Sequence, residues 1–390
     1  MRALPFGRAS YPLDLGDRPA IWVEPRALPD PPPLERLLGD ALDAPIASPR
    51  LEQLAPPGSR VTLIVSDATR DEPRARFVAM VMARCPDVRW TLAIATGTHG
   101  RSGVTGLGLP DAVLAGATIV DHDGHDERDL QLLGITSRGT PMRIHRCVLD
   151  ADLILATGCI RPHYFAGFGA GAKAIFPGLG HAPAIRINHR WKQAPGARAG
   201  ILDGNPCRED IEEAVALVPT PTFLLNGVCG PDGQIHAVVA GDLRRAFRAG
   251  AELARPWFTV TAPRSRVVIA SDVLPVTSTL YQAAKIAAAA APLVDDQGVL
   301  VLAAECPDGT GPLDTVNEAI FRIGVLPRLP ASARIVLVSS LSEATVRTTL
   351  VDYAPSIEAV LLPDRPSPVR DGSPIVVLPR ASQLLVEPTP

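Results

Sequence analysis

Val61 to Val65 is an uninterrupted apolar run, and it ends abruptly in the polar turn SDATRDEP. A strand that is apolar on both faces must be covered on both, which calls for helices packed on either side of a parallel sheet. The pattern recurs. A helix is expected from Arg74 to about Arg84. The next strand, Thr91 to Ala95, runs into TGTHGRSG, and Ala151 to Ala156 runs into TGCIRPHYFAGFGAGAK. Ligands of open α/β sheets bind beyond the carboxyl ends of parallel strands, so these three unusual segments are expected to converge on one site.

The second half repeats the alternation. After Ala254 the segment RPWFTVTAPRSR breaks the pattern with two prolines, and strand-like runs follow at Arg266 to Ala270, Gly298 to Ala303, Arg334 to Val338, Val360 to Leu362 and Ile375 to Leu378. Helical patterns such as Thr315 to Ile323 separate them, and the alanine-rich stretch from Tyr281 to Ala291 reads as a helix stopped near Pro292. A chain of 390 residues exceeds the roughly 250–300 residues that one core sustains. The expectation is therefore an α/β protein of two domains with mainly parallel sheets, 1–258 and 259–390. DPPPLE and the tail from Pro363 read as rigid loops.

A hydrophobic content of 46%, 20% charged residues and a net charge of −3 describe a globular chain with no electrostatic reason to bind nucleic acid or an anionic membrane. MRALPFGRASYPLDLGDR contains no apolar signal region, and the apolar stretch from Ile286 to Val294 is too short to span a bilayer, so a soluble cytoplasmic protein is expected. Cys85, Cys147, Cys159, Cys207, Cys229 and Cys306 are scattered without a CxxC pair. They suit a reducing compartment and read as buried small hydrophobes.

Of 38 basic residues only Lys173, Lys192 and Lys285 are lysine. Arginine serves wherever a generic positive charge suffices, so the surviving lysines are candidates for chemistry that a planar, permanently protonated guanidinium cannot perform. Lys173 lies in the densest unusual segment, RPHYFAGFGAGAKAIFPGLGHAPAIRINH, with five glycines from Gly167 to Gly180 and the histidines His163, His181 and His189. Glycines let a backbone approach a ligand and turn its N–H groups toward an anion. A Walker A loop is excluded because Ala172 and Ala174 flank the lysine. His99 in TGTHG lies just beyond a strand, where its side chain either reaches the crevice or is structural, and Asp67, Thr69 and Arg70 in SDATR, at the preceding strand end, suit either an anion site or a helix cap with a surface arginine. Tyr281, Gln282 and Lys285 fall on one helix face by their spacing of three and four. The run Asp121 to Glu127, DHDGHDE, lacks the ligand spacing of an EF-hand and reads as a solvated loop. The absence of HExxH and GxSxG removes the main support for a zinc metalloprotease or an α/β-hydrolase.

Taken together, SDATR, ATGTH, RPHYFAGF followed by GAGAKAIFPG, INH and LYQAAK resemble, in order, the signature of the nickel-pincer nucleotide lactate racemase family. The resemblance implies a two-domain α/β enzyme with its active site in the cleft between the domains, the first binding the cofactor and the second contributing substrate-side residues. It implies a pyridinium mononucleotide cofactor holding nickel through sulfur, carbon and sulfur, with proteins that make and deliver it as partners. By similarity, Lys173 contacts or covalently holds the cofactor, and His189 ligates nickel. His99 and His163 are the paired acid/bases, Asp67, Thr69 and Arg70 belong to the cofactor cluster, and Arg70, Tyr281, Gln282 and Lys285 face the substrate. The implied reaction moves a hydride from the carbinol carbon of a short 2-hydroxyacid to the cofactor and back on the other face. Where family members commonly carry a serine and two glycines before the lysine, this chain has Gly169, Ala170, Gly171 and Ala172. That departure leaves room for an epimerase of a larger polyhydroxy or dicarboxylic 2-hydroxyacid. A reading from another class, a cofactor-binding protein without catalysis, would make His99 and His163 dispensable.

Overall fold

In the computed structural model, which describes residues 2–362 and 373–389, the apolar run at Val61 becomes the strand Arg60–Ser66, inside a six-stranded sheet. The strand order across this sheet is Ile235–Gly241, Thr222–Cys229, Leu153–Ile160, Arg60–Ser66, Arg89–Ala95 and Ala117–Asp121. Every neighbouring pair is parallel except the edge pair formed by Ile235–Gly241, which is antiparallel. All eight residues of Leu153–Ile160 are buried, as a strand covered on both faces requires. The helix Arg74–Arg84 closes one face with Phe77, Val78 and Val81 against Leu63, Val65 and Leu92.

The path of the chain through this sheet fixes where a ligand can sit. From Arg60–Ser66 it steps outward to Arg89–Ala95 and Ala117–Asp121, then returns to the opposite side of Arg60–Ser66 at Leu153–Ile160. The order therefore reverses between Arg60–Ser66 and Leu153–Ile160, and a crevice opens at the carboxyl ends of strands that diverge in this way. SDATR leaves one of these ends and RPHYF the other.

The chain divides into two units, Ala27–Trp257 and Met1–Arg26 with Phe258–Pro390. The longer segment of the second unit begins at Phe258, beside the two prolines Pro256 and Pro263. The N-terminal 26 residues do not belong with the first unit as expected, because Ala20–Trp22 pairs in parallel with Ile375–Leu378. Leu4 and Leu13 are buried in the same core as Val267, Ile269 and Val301. The strand order of this second unit is Asp352–Tyr353, Arg334–Val338, Val294–Ala303, Ser265–Ala270, Ile375–Leu378 and Ala20–Trp22, parallel throughout. The alanine-rich segment is the helix Leu280–Ala290, capped by the Thr279 side chain and buried at seven positions.

Val360 to Leu362 is not a strand. Ser356 caps a short helix, Ile357–Val360, by accepting a hydrogen bond from the Ala359 N–H, and three apolar residues are too few to show which period they follow. Of the tail read as rigid loop, 363–372 lies outside the described residues, and Leu385–Pro388 forms a strand beside Thr259–Ala262. Among the described residues no helix is long and apolar enough to cross a membrane.

Candidate active site

The turn after Arg60–Ser66 is built around one buried carboxylate. Asp67, 2% exposed, accepts hydrogen bonds at Oδ1 from the Thr69 N–H (3.0 Å) and the Thr69 hydroxyl (2.5 Å), and its Oδ2 lies 2.7 Å from Nδ1 of His99. Burial alone would raise the Asp67 pKa, but the hydrogen bonds from His99 and Thr69 outweigh it and hold the carboxyl down to about 2. Asp67 is therefore ionised and accepts the proton on Nδ1 of His99, which leaves Nε2 outside this bond. The His99 side chain is 46% exposed, so that atom is within reach of a ligand. Arg70 is exposed and acts electrostatically on both Asp67 and Lys173.

Sequence reasoning missed what holds this turn. Arg74, 5% exposed, donates from Nε to the Ser66 carbonyl at 2.8 Å and from its guanidinium to the carbonyls of Asp67 and Arg70. No local pattern separates this arginine from its many exposed counterparts.

The TGTH and glycine-rich segments meet directly, since the Gly97 N–H donates to the Gly178 carbonyl at 2.9 Å. DHDGHDE binds them together and is not the solvated loop expected. His122 is 1% exposed, donates from Nε2 to the Gly180 carbonyl at 2.9 Å, and accepts the Thr96 hydroxyl at its own carbonyl. Burial pushes its pKa down to about 4. The neutral ring serves as a structural strut. Asp121 accepts from the N–H groups of Ser102 and Gly103, and no cluster of three or more metal-ligating side chains occurs among the described residues.

The second group forms around the ring of Phe165. His163 packs edge-on to that ring at 4.6 Å, His189 at 5.0 Å, and the Lys173 ammonium lies 5.4 Å from its centroid. The Ala166 N–H donates to Nδ1 of His163 at 3.3 Å, which leaves Nε2 facing Nζ of Lys173, also at 3.3 Å. Desolvation, with help from the positive charges of Arg208 and Arg70, pulls the Lys173 pKa down to about 7. A large fraction of its amine is thus uncharged and nucleophilic at neutral pH.

His189 comes from the helix Ala182–Arg190. Its neighbour Asn188 anchors that helix through Nδ2 to Asp210 at 2.7 Å and to the Cys207 carbonyl at 3.1 Å. Burial, reinforced by the nearby Lys173 and Lys192 charges, lowers the His189 pKa to about 3. Its Nδ1 is buried without a well-formed hydrogen bond. A neutral imidazole, as burial keeps this one, is what a metal requires of a histidine ligand, so the residue fits the nickel assignment. His181 points elsewhere, to Glu127 at 3.3 Å.

Arg208 supports the glycine-rich loop from beneath. It is fully buried, donates to the carbonyls of Ala166 and Phe168, and lies 4.3 Å from the Phe247 ring centroid. Gly171, at φ +64°, passes so close to Phe247 that a Cβ would sit 2.6 Å from the ring. Its N–H donates to Asn226 Oδ1 at 3.0 Å. In the other unit, Tyr281, Gln282 and Lys285 lie on the helix Leu280–Ala290, with Lys285 Nζ donating to Gln282 Oε1 at 2.6 Å.

Two α/β units built on mainly parallel sheets, with His99, His163 and a desolvated lysine at neighbouring strand ends of one sheet, have the architecture of an α/β enzyme. Residues 6–200 match the family described as Lactate racemase N-terminal domain. The chain is 31% identical over 310 residues to the lactate racemase of Thermoanaerobacterium thermosaccharolyticum, covering 74% of this chain and 72% of that protein. It is 30% identical over 280 residues to the lactate racemase of Lactiplantibacillus plantarum, covering 70% and 66% respectively. Among solved structures, the lactate racemase apoprotein from T. thermosaccharolyticum superposes with a TM-score of 0.88 at 26% identity over 99% of both chains. A Thermotoga maritima protein shares the fold, with a TM-score of 0.66 at 15% identity over 93% of this chain and all of that one. The chain belongs to the lactate racemase family, and it is an isomerase.

Proposed function

We propose that this chain interconverts the enantiomers of a short, lactate-like 2-hydroxyacid, with His99 and His163 exchanging the hydroxyl proton. The observation that carries the reading is the Asp67–His99 pair standing at the same sheet end as His163 and its lysine partner. The lactate racemases of T. thermosaccharolyticum and L. plantarum support the substrate class.

When bound, a nickel-pincer nucleotide supplies the hydride acceptor and donor that this chain's side chains lack. His189 would ligate the nickel through its neutral ring, and Lys173 would hold the cofactor through its amine. His99, fixed through Nδ1, takes or returns the hydroxyl proton at Nε2. His163 performs the same task for the opposite enantiomer, because inversion presents the hydroxyl differently while the carboxylate stays anchored. Arg70 is the proposed carboxylate anchor near Asp67, and Tyr281, Gln282 and Lys285 are the proposed substrate-side residues of the other unit. Thr69 keeps Asp67 in place.

The test is a chiral screen of 2-hydroxyacids, including dicarboxylic and polyhydroxy acids, with cofactor-loaded protein. Racemisation of a short monocarboxylic 2-hydroxyacid is expected, and His99→Ala and His163→Ala should each lower turnover by about 10²–10⁴. Full activity in both variants would remove the two-base assignment. Inversion only of a larger acid would replace the substrate class.

A further inference from the structure

Cys159 and Cys229 stand on neighbouring parallel strands, Leu153–Ile160 and Thr222–Cys229. Gly227 lies opposite Cys159, so Cys229, two residues further on, projects from the same face. Their thiols hydrogen-bond to each other. Nη2 of Arg161 lies 3.4 Å from the Cys229 sulfur and also donates to the Asp71 carbonyl at 3.1 Å. Beside them, Glu72 has one carboxylate oxygen buried without a partner, and it interacts with Ser66 and the backbone of Cys159. Both cysteines line a cavity of about 500 Å³ bordered by Pro31, Pro32 and Pro33. Two thiols in contact, a guanidinium on one sulfur, a buried carboxyl and a cavity admitting small molecules form a cluster that the proposed racemisation does not use.

The cluster sets Cys229 apart from the rest, while the hydrogen bond with Cys229 and burial raise Cys159 well above the usual thiol range, so that it needs Glu72 to take its proton. Burial pushes Cys85 up to about 11 and Cys147, Cys207 and Cys306 up to about 12, which makes them poor nucleophiles. Cys229 alone is held below the usual thiol range, by its hydrogen bond with Cys159 and, against the effect of burial, by Arg161.

We propose that Cys159 and Cys229 form a dithiol centre that exchanges with low-molecular-weight disulfides entering through this cavity. The Cys229 thiolate attacks one sulfur of a disulfide RSSR, forming a mixed disulfide and releasing the first RS⁻, which is protonated by solvent. Cys159 gives its proton to the Glu72 carboxylate and attacks the Cys229 sulfur, expelling the second RS⁻, which takes the proton from Glu72. Two protein thiols lose two electrons to become one cystine, and one RSSR gains them to become two RSH. The new bond removes the sulfur partner of Arg161, which directly precedes Pro162 and His163 and also holds Asp71 beside Arg70. The oxidation state of the pair is thereby coupled to both loops of the candidate site.

The experiment is disulfide mapping on the reduced full-length protein, exposed to oxidised glutathione at neutral pH, quenched in acid, unfolded and alkylated before digestion. The expected product is a Cys159–Cys229 cystine, reversed by dithiothreitol, with the other four cysteines recovered alkylated. In Cys159→Ser the reaction should arrest at a glutathione adduct on Cys229, and in Cys229→Ser neither species should form. Recovery of both thiols alkylated in the native chain, under conditions that oxidise an exposed peptide thiol, overturns the proposal. So does a native-chain adduct that never resolves, or glutathione on another cysteine. The native chain decides the matter even where a variant folds poorly.

Discussion

Asp67 uses its two oxygens separately, Oδ1 for Thr69 and Oδ2 for His99. An amide keeps the shape but not the charge, and it can present an N–H to the imidazole, reversing the tautomer that frees Nε2. Asp67→Asn is therefore expected to lower turnover by about 10²–10⁴, mostly in kcat, because His99 remains present but is wrongly protonated. The same carboxylate makes a stability prediction with a definite sign. Its folded pKa of about 2 lies below the ordinary 3.8, so its contribution is complete above about pH 4 and is lost as the pH falls toward 2. The gap in urea midpoint between the native chain and Asp67→Asn should be constant near neutrality and narrow as the pH drops below about 4. A gap independent of pH would mean that the carboxylate is not held by His99 and Thr69 in the folded chain.

The element that carries Lys173 shows how much a loop can hide from its sequence. Scarcity of lysine singled out Lys173, and the glycines marked the loop. What fixes the loop, however, comes from far along the chain: Arg208 on the Ala166 and Phe168 carbonyls, Asn226 on the Gly171 N–H, and His122 on Gly180. Periodicity and spacing report on neighbours within a turn or two, so these long-range polar contacts left no local trace, and a string as polar as DHDGHDE was expected in solvent. Strands and helices defined by longer runs were legible, as with Arg74–Arg84, Arg334–Val338 and Ile375–Leu378. One loop residue is strained. Ala170 sits at φ 62°, ψ −158°, a region that only glycine enters freely. It does so with its Cβ 3.1 Å from where one on Gly158 would stand. Relief of about 1–3 kcal/mol of strain, set against about 0.5–1 kcal/mol of added chain entropy, predicts that Ala170→Gly stabilises the protein by about 1 kcal/mol. That corresponds to a melting midpoint roughly 2–4 °C higher. A lower midpoint on differential scanning calorimetry would show that the loop adopts another conformation.

At the scale of the whole molecule, the sequence shows two α/β units and a junction near residue 258, but not that the second unit is assembled from both ends of the chain. That could not be read locally, because a short strand such as Ala20–Trp22 identifies its sheet only by pairing with Ile375–Leu378, some 350 residues away. The N-terminal segment is tied to this unit at several points. Leu4 and Leu13 are buried in its core, the Tyr11 hydroxyl donates to Glu358 at 2.6 Å, Arg18 donates to the Leu361 carbonyl at 3.0 Å, and the Ser271 hydroxyl donates to the Pro5 carbonyl. Losing two buried leucines costs about 2–5 kcal/mol each, a sum comparable with the roughly 5–15 kcal/mol that holds a typical domain together. The unit Ala27–Trp257, in contrast, is continuous in sequence and has its own core. Residues 27–257 produced alone should therefore unfold cooperatively in urea, whereas residues 258–390 alone should give a broad, poorly cooperative transition and expose apolar surface to a dye. Restoring residues 1–26 to the C-terminal fragment through a flexible linker should return a sharp transition. A fragment 258–390 that unfolds as sharply without them would show that the N-terminal segment decorates this unit and does not complete it.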